Sequence, residues 1–375
     1  MPSRIYFDNA SSTKVDPEVL KTYENLLENY FVNSESLYDE GSEIQNMIGK
    51  ARAQIAGLLG VQQDEIIFMS GASEANSSAI KGVAFSNQNK KHIITTSIEH
   101  SSVLFTCRQL EEVFGYDVTY LPVNEEGNLS LEDVKKALRK DTCLVTIMHV
   151  NNEVGSILPI NEIAEYVKLN SEAYMHVDMT QSIAKIDIDM KNIDLASFSA
   201  HKIHGLKGSG ILVKKKHVPY VELVVGGEQE FGLRGGTTNA LTNIVFAKTL
   251  RLAFEHKDEL LKHTKELQDY ALSKLSNIEG ILINSPKDNL PCIINFSYEK
   301  IPSEVMQNAL NKRGFMVSAR STCESKNNTS YVLKAMGYSD VRSSSCIRLS
   351  FGLENTKEEI DLFIKALEEI IEAYG

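Results

Sequence analysis

Two stretches of this chain end an apolar run on side chains able to react. In "DLASFSAHKIHGLKGSGIL" the run delivers Ser199, His201 and Lys202, and glycines follow at 205, 208 and 210. A lysine at the end of a buried strand is costly unless it has a use. Desolvation lowers its pKa, and the neutral amine can then form a Schiff base with a carbonyl. Ser199 and His201 add hydrogen-bond donors suited to a phosphate. A surface lysine beside a Gly-rich turn would show the same residues. In "AYMHVDMTQS" the run ends on Asp178, with Gln181 just beyond. A carboxylate carried there needs a cationic partner, such as the protonated ring nitrogen of a bound cofactor. An aspartate capping the next helix is the alternative.

Further residues fit the same chemistry less specifically. "FMSGASEANSSAIKG" reads as strand, small-residue turn and helix. A helix start of this kind binds anions through its N–H groups; Ser73 adds a hydroxyl, and Gly71 and Ala72 leave room. A well-capped helix would look alike. "TTSIEHSSV" places His100 at a strand end, able to stack on an aromatic cofactor and move protons, or to serve the core. "MHVNNEVG" places Asn151 and Asn152 at another strand end, for a carboxylate, a ring oxygen or a turn. "SSCIRLSFG" sets Arg348 in an apolar strand, for bidentate capture of a substrate carboxylate or for an internal salt bridge. "GLRGGTTN" carries Arg234 and Thr237 in a Gly-rich loop that fits a phosphate or subunit contact, or an ordinary turn. Cys323 stands among small and polar residues in "SARSTCESKNNTS", by itself a loop thiol.

Positioning these residues takes a layered scaffold. From about Lys50 to Lys216, β-like runs ("EIIFMS", "KHIITTS", "VTYLPV", "CLVTIMHV", "AYMHVDM", "LASFSA", "GSGILVKK") alternate with amphipathic stretches such as "SLEDVKKALRK" and "NEIAEYVKLN". The alternation predicts an α/β domain with a largely parallel sheet, whose chemistry gathers at strand C-termini. After about Phe254 a long amphipathic helix pattern, a strand-like "PCIINFSY", a helix over "PSEVMQNALNKRG" and a closing helix predict a second, smaller α+β domain.

The 375 residues suffice for two domains, and 42% hydrophobic with 24% charged residues is a soluble composition. A net charge of −11 argues against a general role on nucleic acid or anionic membrane. No apolar run is long enough to span a bilayer, and the opening residues hold no apolar secretory segment. Cys107, Cys143, Cys292, Cys323 and Cys346 are scattered, with no C-x-x-C pair. No metal site or disulfide framework is suggested, and reduced thiols in a cytoplasm are expected.

Taken in order along the chain, these motifs resemble those of a fold-type I pyridoxal phosphate enzyme of the class V aminotransferase group, and more closely a cysteine desulfurase of the NifS/IscS type. The similarity runs from "IYFDNASST" through "EHSSVLFTCRQLE", "MHVNNEVG", "HVDMTQS", "SFSAHKIHGLKGSG" and "GLRGGT" to "IRLSFG". It implies a large domain over 16–254 and a small domain over 1–15 and 255–375. It implies pyridoxal 5′-phosphate held covalently by Lys202, which then shuttles the substrate proton. Asp178 would pair with the pyridine nitrogen, His100 would stack on the ring and assist proton transfer, and Gln181 would bond the ring hydroxyl oxygen. Ala72, Ser73, Ser199 and His201 would hold the phosphate, joined by Thr237 of a neighbouring subunit, which implies a homodimer. Asn152 and Arg348 would bind the substrate carboxylate.

By the same resemblance Cys323 takes the place of the nucleophile. Its thiolate would attack the sulfur of L-cysteine, leaving alanine and a persulfide on the chain. "SARSTCE" departs from the family: Arg320 stands where Gly or Ser is usual, and Glu324 follows the cysteine. Lys14 replaces a common proline, and Ser73 a threonine. These departures leave the sulfur acceptor open between a thiolation enzyme serving tRNA or a cofactor and an iron–sulfur scaffold protein. A class V aminotransferase or selenocysteine lyase, and a non-catalytic interaction protein on the same fold, are the other readings.

Overall fold

The computed structural model describes residues 4–319 and 329–374. A short strand, β1 (Ile5–Tyr6), opens the chain and is followed by helices over Pro17–Asn29 and Asp39–Leu59. Asp16 starts the first helix by accepting the Glu18 and Val19 N–H groups, and Gly60 ends the second in the left-handed conformation.

Seven strands form the main sheet: β2 (Ile66–Met69), β3 (His92–Thr96), β4 (Asp117–Leu121), β5 (Thr142–Met148), β6 (Tyr174–Asp178), β7 (Leu195–Ser199) and β8 (Gly210–Lys214). Their order is β2-β8-β7-β6-β5-β3-β4. The pairs from β7 to β4 are parallel, while β8 runs antiparallel to both its neighbours. Each of the seven apolar runs read from the sequence is one of these strands. β2, β3, β5, β7 and β8 are buried throughout, as strands covered on both faces must be. A fully buried His176 ties three strands together: Nδ1 meets Thr146 Oγ1 at 2.7 Å and Nε2 meets Ser197 Oγ at 2.9 Å. Burial pulls its pKa down to about 4, so it sits in the core neutral.

The later part of the chain has its own core. β9 (Ile281–Ile283), β10 (Ile293–Tyr298), β11 (Phe315–Met316) and β12 (Cys346–Ser350) alternate with helices over Lys257–Leu275, Ser303–Lys312 and Lys357–Tyr374. β12, β10 and β9 form an antiparallel sheet in that order. The N-terminal arm joins this core, a placement that composition does not reveal. β1 pairs in parallel with β11, and Phe7 meets Phe351 and Phe363 edge-on at 5.4 and 5.9 Å. Past Phe7 the arm turns toward the C-terminal ends of β5, β6 and β7, where Thr13 bonds the His201 carbonyl.

Candidate active site

A cavity of about 540 Å³ opens where β2, β5, β6 and β7 end. Its lining includes Ala72, Ser73, His100, Asn152, Asp178, Gln181, Ser199, His201, Lys202 and Arg348, residues up to 276 positions apart (348 − 72). Thr237 is not among the lining residues and is exposed on its own chain. Cys323, with Arg320 and Glu324, lies outside the described residues.

Lys202 ends a single helical turn that follows β7 directly. Nζ donates to the carbonyls of Ala10 at 2.6 Å and Ser11 at 2.7 Å, both on the arm. Burial pulls this amine down to about 7, and the positive charges of Arg348 and Lys185 add to the effect. Burial, with Lys202 and Lys207 nearby, pulls His201 down to about 4.

Asp178 is the last residue of β6. Its Oδ1 accepts the Thr180 N–H at 2.9 Å and its Oδ2 accepts Asn76 Nδ2 at 2.8 Å. Turns rather than a helix follow it, so it caps a turn and no helix. Gln181 Nε2 donates to Ala10 O at 2.9 Å, while its Oε1 is buried without a partner.

At one end of the cavity, the helix Ala72–Ser86 starts from Gly71. Glu74 in its first turn accepts the Ser70 N–H at 2.6 Å and pairs with Arg234 Nε at 3.0 Å, which steadies the turn. Arg234 thus takes its structural role, binding Glu74 rather than lining the cavity.

Two placements differ from the sequence reading. β3 ends at Thr96, and His100 is the N-cap of the helix Ser101–Phe114, accepting the Ser102 N–H at Nδ1. The intervening turn is held by Glu99, whose Oε1 accepts hydrogen bonds from Thr96 Oγ1 at 2.6 Å and the Met148 N–H at 3.0 Å. Burial pushes Glu99 up to about 8, and Asp178 nearby adds to it. Similarly, β5 ends at Met148, and Asn151 forms the turn beyond, accepting the Glu153 and Val154 N–H groups at 2.8 and 3.0 Å. Asn152 alone faces the cavity.

Arg348, on β12, reaches across from the second core. Nη1 donates to Asn152 O at 2.7 Å, and Nη2 to Asp8 Oδ1 at 2.8 Å and Ser11 Oγ at 2.6 Å. The internal salt bridge therefore exists, and Nε still has no partner. The described residues on either side of the Cys323 stretch, Ser318 and Ser330, lie beside this arginine and the turn after β5. Ser318 and Arg348 exchange main-chain hydrogen bonds at 3.2 and 2.7 Å, and Ser330 Oγ donates to Glu153 Oε2 at 2.5 Å.

Sequence reasoning passed over Asn76, Ser102, Asp8, Ala10 and Ser11. Asn76 had a signal: it lies four residues past Ala72, on the same face of a helix aimed at the site.

The class V aminotransferase family model matches residues 5–363. The chain belongs to that family. It is 41% identical to a NifS/IcsS protein homolog of Lactobacillus delbrueckii subsp. bulgaricus, over 99% of this chain and 98% of the relative. It is 39% identical to the cysteine desulfurase IscS of Dictyoglomus turgidum, over 99% and 95%. Among solved structures, a NifS-like protein superposes with a TM-score of 0.93 at 39% identity, covering 98% and 99% of the two chains. A structure titled SspA in complex with cysteine gives 0.82 at 35% identity, covering 94% and 99%. Among the described residues no helix is long and apolar enough to cross a membrane.

The family uses pyridoxal 5′-phosphate, and the cavity suits that group on its own chemistry. An N–H-rich helix start lies at one end and a carboxylate at the strand ends, with the buried Lys202 amine beside them. Gln181 Oε1, Asn152 Oδ1, His201 Nδ1 and Arg348 Nε are buried in the lining without partners, an arrangement proteins rarely tolerate unless a ligand completes it.

Proposed function

We propose that this chain is a cysteine desulfurase that converts L-cysteine to L-alanine and carries the sulfur as a persulfide on Cys323. The overall change balances without an added oxidant: cysteine plus the Cys323 thiol gives alanine plus the Cys323 persulfide. The substrate C–S bond breaks, its electron pair stays on carbon and takes a proton, and the sulfur joins the Cys323 sulfur. Bound pyridoxal phosphate supplies an electron sink for the negative charge that develops at the substrate α-carbon.

The residues of this chain do the rest. Lys202 would hold the cofactor and then carry the α-proton, a task for which an amine near neutral pKa is suited. Asp178 would keep the pyridine nitrogen protonated. His100 would lie on the ring and assist proton movement, and Gln181 would meet the ring hydroxyl oxygen. Ala72, Ser73, Ser199 and His201 would bind the phosphate. Arg348, already oriented by Asp8 and the Asn152 carbonyl, would bind the substrate carboxylate together with the Asn152 side chain.

The observation that carries this reading is the meeting of Lys202, Asp178 and Arg348 in one cavity. We further propose a homodimer in which the exposed Thr237 reaches the phosphate site of the second copy. Residues 16–254 would form the cofactor-binding domain, and 1–15 with 255–375 the smaller one, consistent with the pairing of β1 and β11. A cytoplasmic location and an acceptor protein, either a thiolation enzyme or an iron–sulfur scaffold, complete the proposal.

Purified protein given L-cysteine and a reductant should release sulfide and alanine in equal amounts, and Cys323→Ala should abolish sulfide release. Full activity in Cys323→Ala would rule out the persulfide step. Amino-group transfer to a keto acid without sulfide would instead mark an aminotransferase.

A further inference from the structure

His100 and Asp178 enter the cavity from different elements, a helix N-cap and a strand end, yet they are joined inside the protein. The joint is Asn76, fully buried one turn into the helix Ala72–Ser86. Its Nδ2 donates to Asp178 Oδ2 at 2.8 Å and to Ser102 Oγ at 2.9 Å. Ser102 Oγ lies 2.8 Å from His100 Nδ1, and the Ser102 main-chain N–H points at the same nitrogen from 3.2 Å.

Donor chemistry fixes the direction of every bond in this chain. Both oxygens of a carboxylate accept, so Asp178 selects the nitrogen of the Asn76 amide; the flipped amide would set oxygen against oxygen. That nitrogen only donates. Ser102 Oγ therefore accepts from Asn76, and its single proton is left for His100 Nδ1. The Ser102 N–H, also only a donor, faces that same atom. With two donors aimed at it, Nδ1 presents its lone pair, and a neutral imidazole with a bare Nδ1 carries its proton on Nε2. Asn76 Oδ1 is buried with no partner, so only the amide nitrogen bonds at this position.

We infer that Asn76 and Ser102 are positioning residues that lock His100 as the Nε2–H tautomer, with Asp178 as the fixed end of the relay. His100 then offers Nε2–H as a fixed hydrogen-bond donor, and any proton it gains must come at Nδ1. Protonation at Nδ1 requires turning the Ser102 hydroxyl away and giving up the bond from its N–H. The tautomer follows from the hydrogen bonds alone; its use in catalysis rests on the desulfurase reading above.

The test is ¹⁵N NMR of the holoenzyme labelled at histidine, with His100→Gln identifying the ring. Wild-type protein should show Nδ1 in the unprotonated range and Nε2 in the protonated range. Ser102→Ala should draw the two resonances toward each other as the tautomers mix, and Ser102→Thr should restore the separation. Asn76→Asp turns the neighbour of Ser102 into an acceptor and should shift the proton toward Nδ1. A protonated Nδ1 in the wild type, or ring shifts unchanged in both Ser102→Ala and Asn76→Asp, would overturn the relay. Undiminished sulfide release by His100→Gln would remove His100 from the mechanism while leaving the tautomer assignment intact.

Discussion

Lys202 Nζ lies 2.6 Å from the carbonyl oxygen of Ala10, 192 positions earlier in the chain. With the Ser11 carbonyl at 2.7 Å, the amine has two acceptors, and both belong to the N-terminal arm. These dipoles favour the ammonium, but burial outweighs them, and Arg348 and Lys185 act in the same direction as burial. The result is an amine that titrates at about 7 instead of 10.5. Only the neutral amine condenses with a carbonyl. The rate of cofactor uptake by the cofactor-free chain should therefore rise through pH 7 and level off above about pH 8, as followed by absorbance. A rise centred near the ordinary lysine value would contradict this. The sign for stability follows as well. Between about 7 and 10.5 the unfolded chain holds a proton on Lys202 that the folded chain has lost, so stability rises with pH across that window. Lys202→Met should remove this part of the pH dependence and raise the cofactor-free melting temperature below pH 7.

Arg348 makes three hydrogen bonds through its terminal nitrogens, to Asn152 O, Asp8 Oδ1 and Ser11 Oγ. A planar guanidinium held this way presents a fixed face to a carboxylate, which a lysine does not reproduce. Charged hydrogen bonds are each worth about 1.5–3 kcal/mol, or roughly 10- to 150-fold. Arg348→Lys should raise KM for cysteine by that factor, with a smaller change in kcat. Steady-state kinetics giving the opposite pattern, a lost kcat at constant KM, would place Arg348 at the reacting atoms.

Much of this arrangement is written locally. The seven strands of the main sheet are apolar runs bounded by polar turns, and Asp178, Ser199 and Lys202 stand at or just past their ends, where the alternation predicts chemistry. What the sequence hides is contact across long separations. Asp8 beside Arg348, Ala10 beside Lys202, and Asn76 between Asp178 and Ser102 depend on how the arm and the first helix of the sheet come together, and no local pattern encodes that. Local patterns also misplace caps: "EHSS" reads as a strand end, yet Glu99 is drawn into the core by Thr96 and Met148, and His100 becomes an N-cap.

The four described thiols share one setting. Cys107, Cys143, Cys292 and Cys346 are buried. Burial pushes the Cys107 and Cys292 thiols up and Cys143 up to about 12, far from the thiolate form that reacts. Brief alkylation of the native protein with iodoacetamide should leave these four unmodified and place the label on the peptide containing Cys323. Labelling of any of the four at a comparable rate, read by peptide mass spectrometry, would mean that their cores open.

The turn at Gly71 depends on two glycines in contact. β8 pairs with β2 so that Gly210 stands opposite Met69, one strand end from the turn at Gly71. A Cβ on Gly210 would lie 2.5 Å from the Gly71 Cα and carbonyl carbon. These are main-chain atoms, so no side chain can rotate away. Either the strand pairing gives or the start of the helix Ala72–Ser86 moves, and that start carries the N–H groups proposed for the phosphate. Overpacking of this kind costs about 1–3 kcal/mol. Gly210→Ala should therefore lower the melting temperature by several degrees and weaken cofactor affinity roughly tenfold or more, measured by absorbance titration. Gly57 supplies the control. It lies inside the helix Asp39–Leu59 with nothing within 4 Å of its would-be Cβ. There alanine should stabilise the protein by about 0.5–1 kcal/mol and leave cofactor affinity unchanged. If Gly210→Ala binds the cofactor as well as Gly57→Ala does, the turn at Gly71 is not the phosphate cradle.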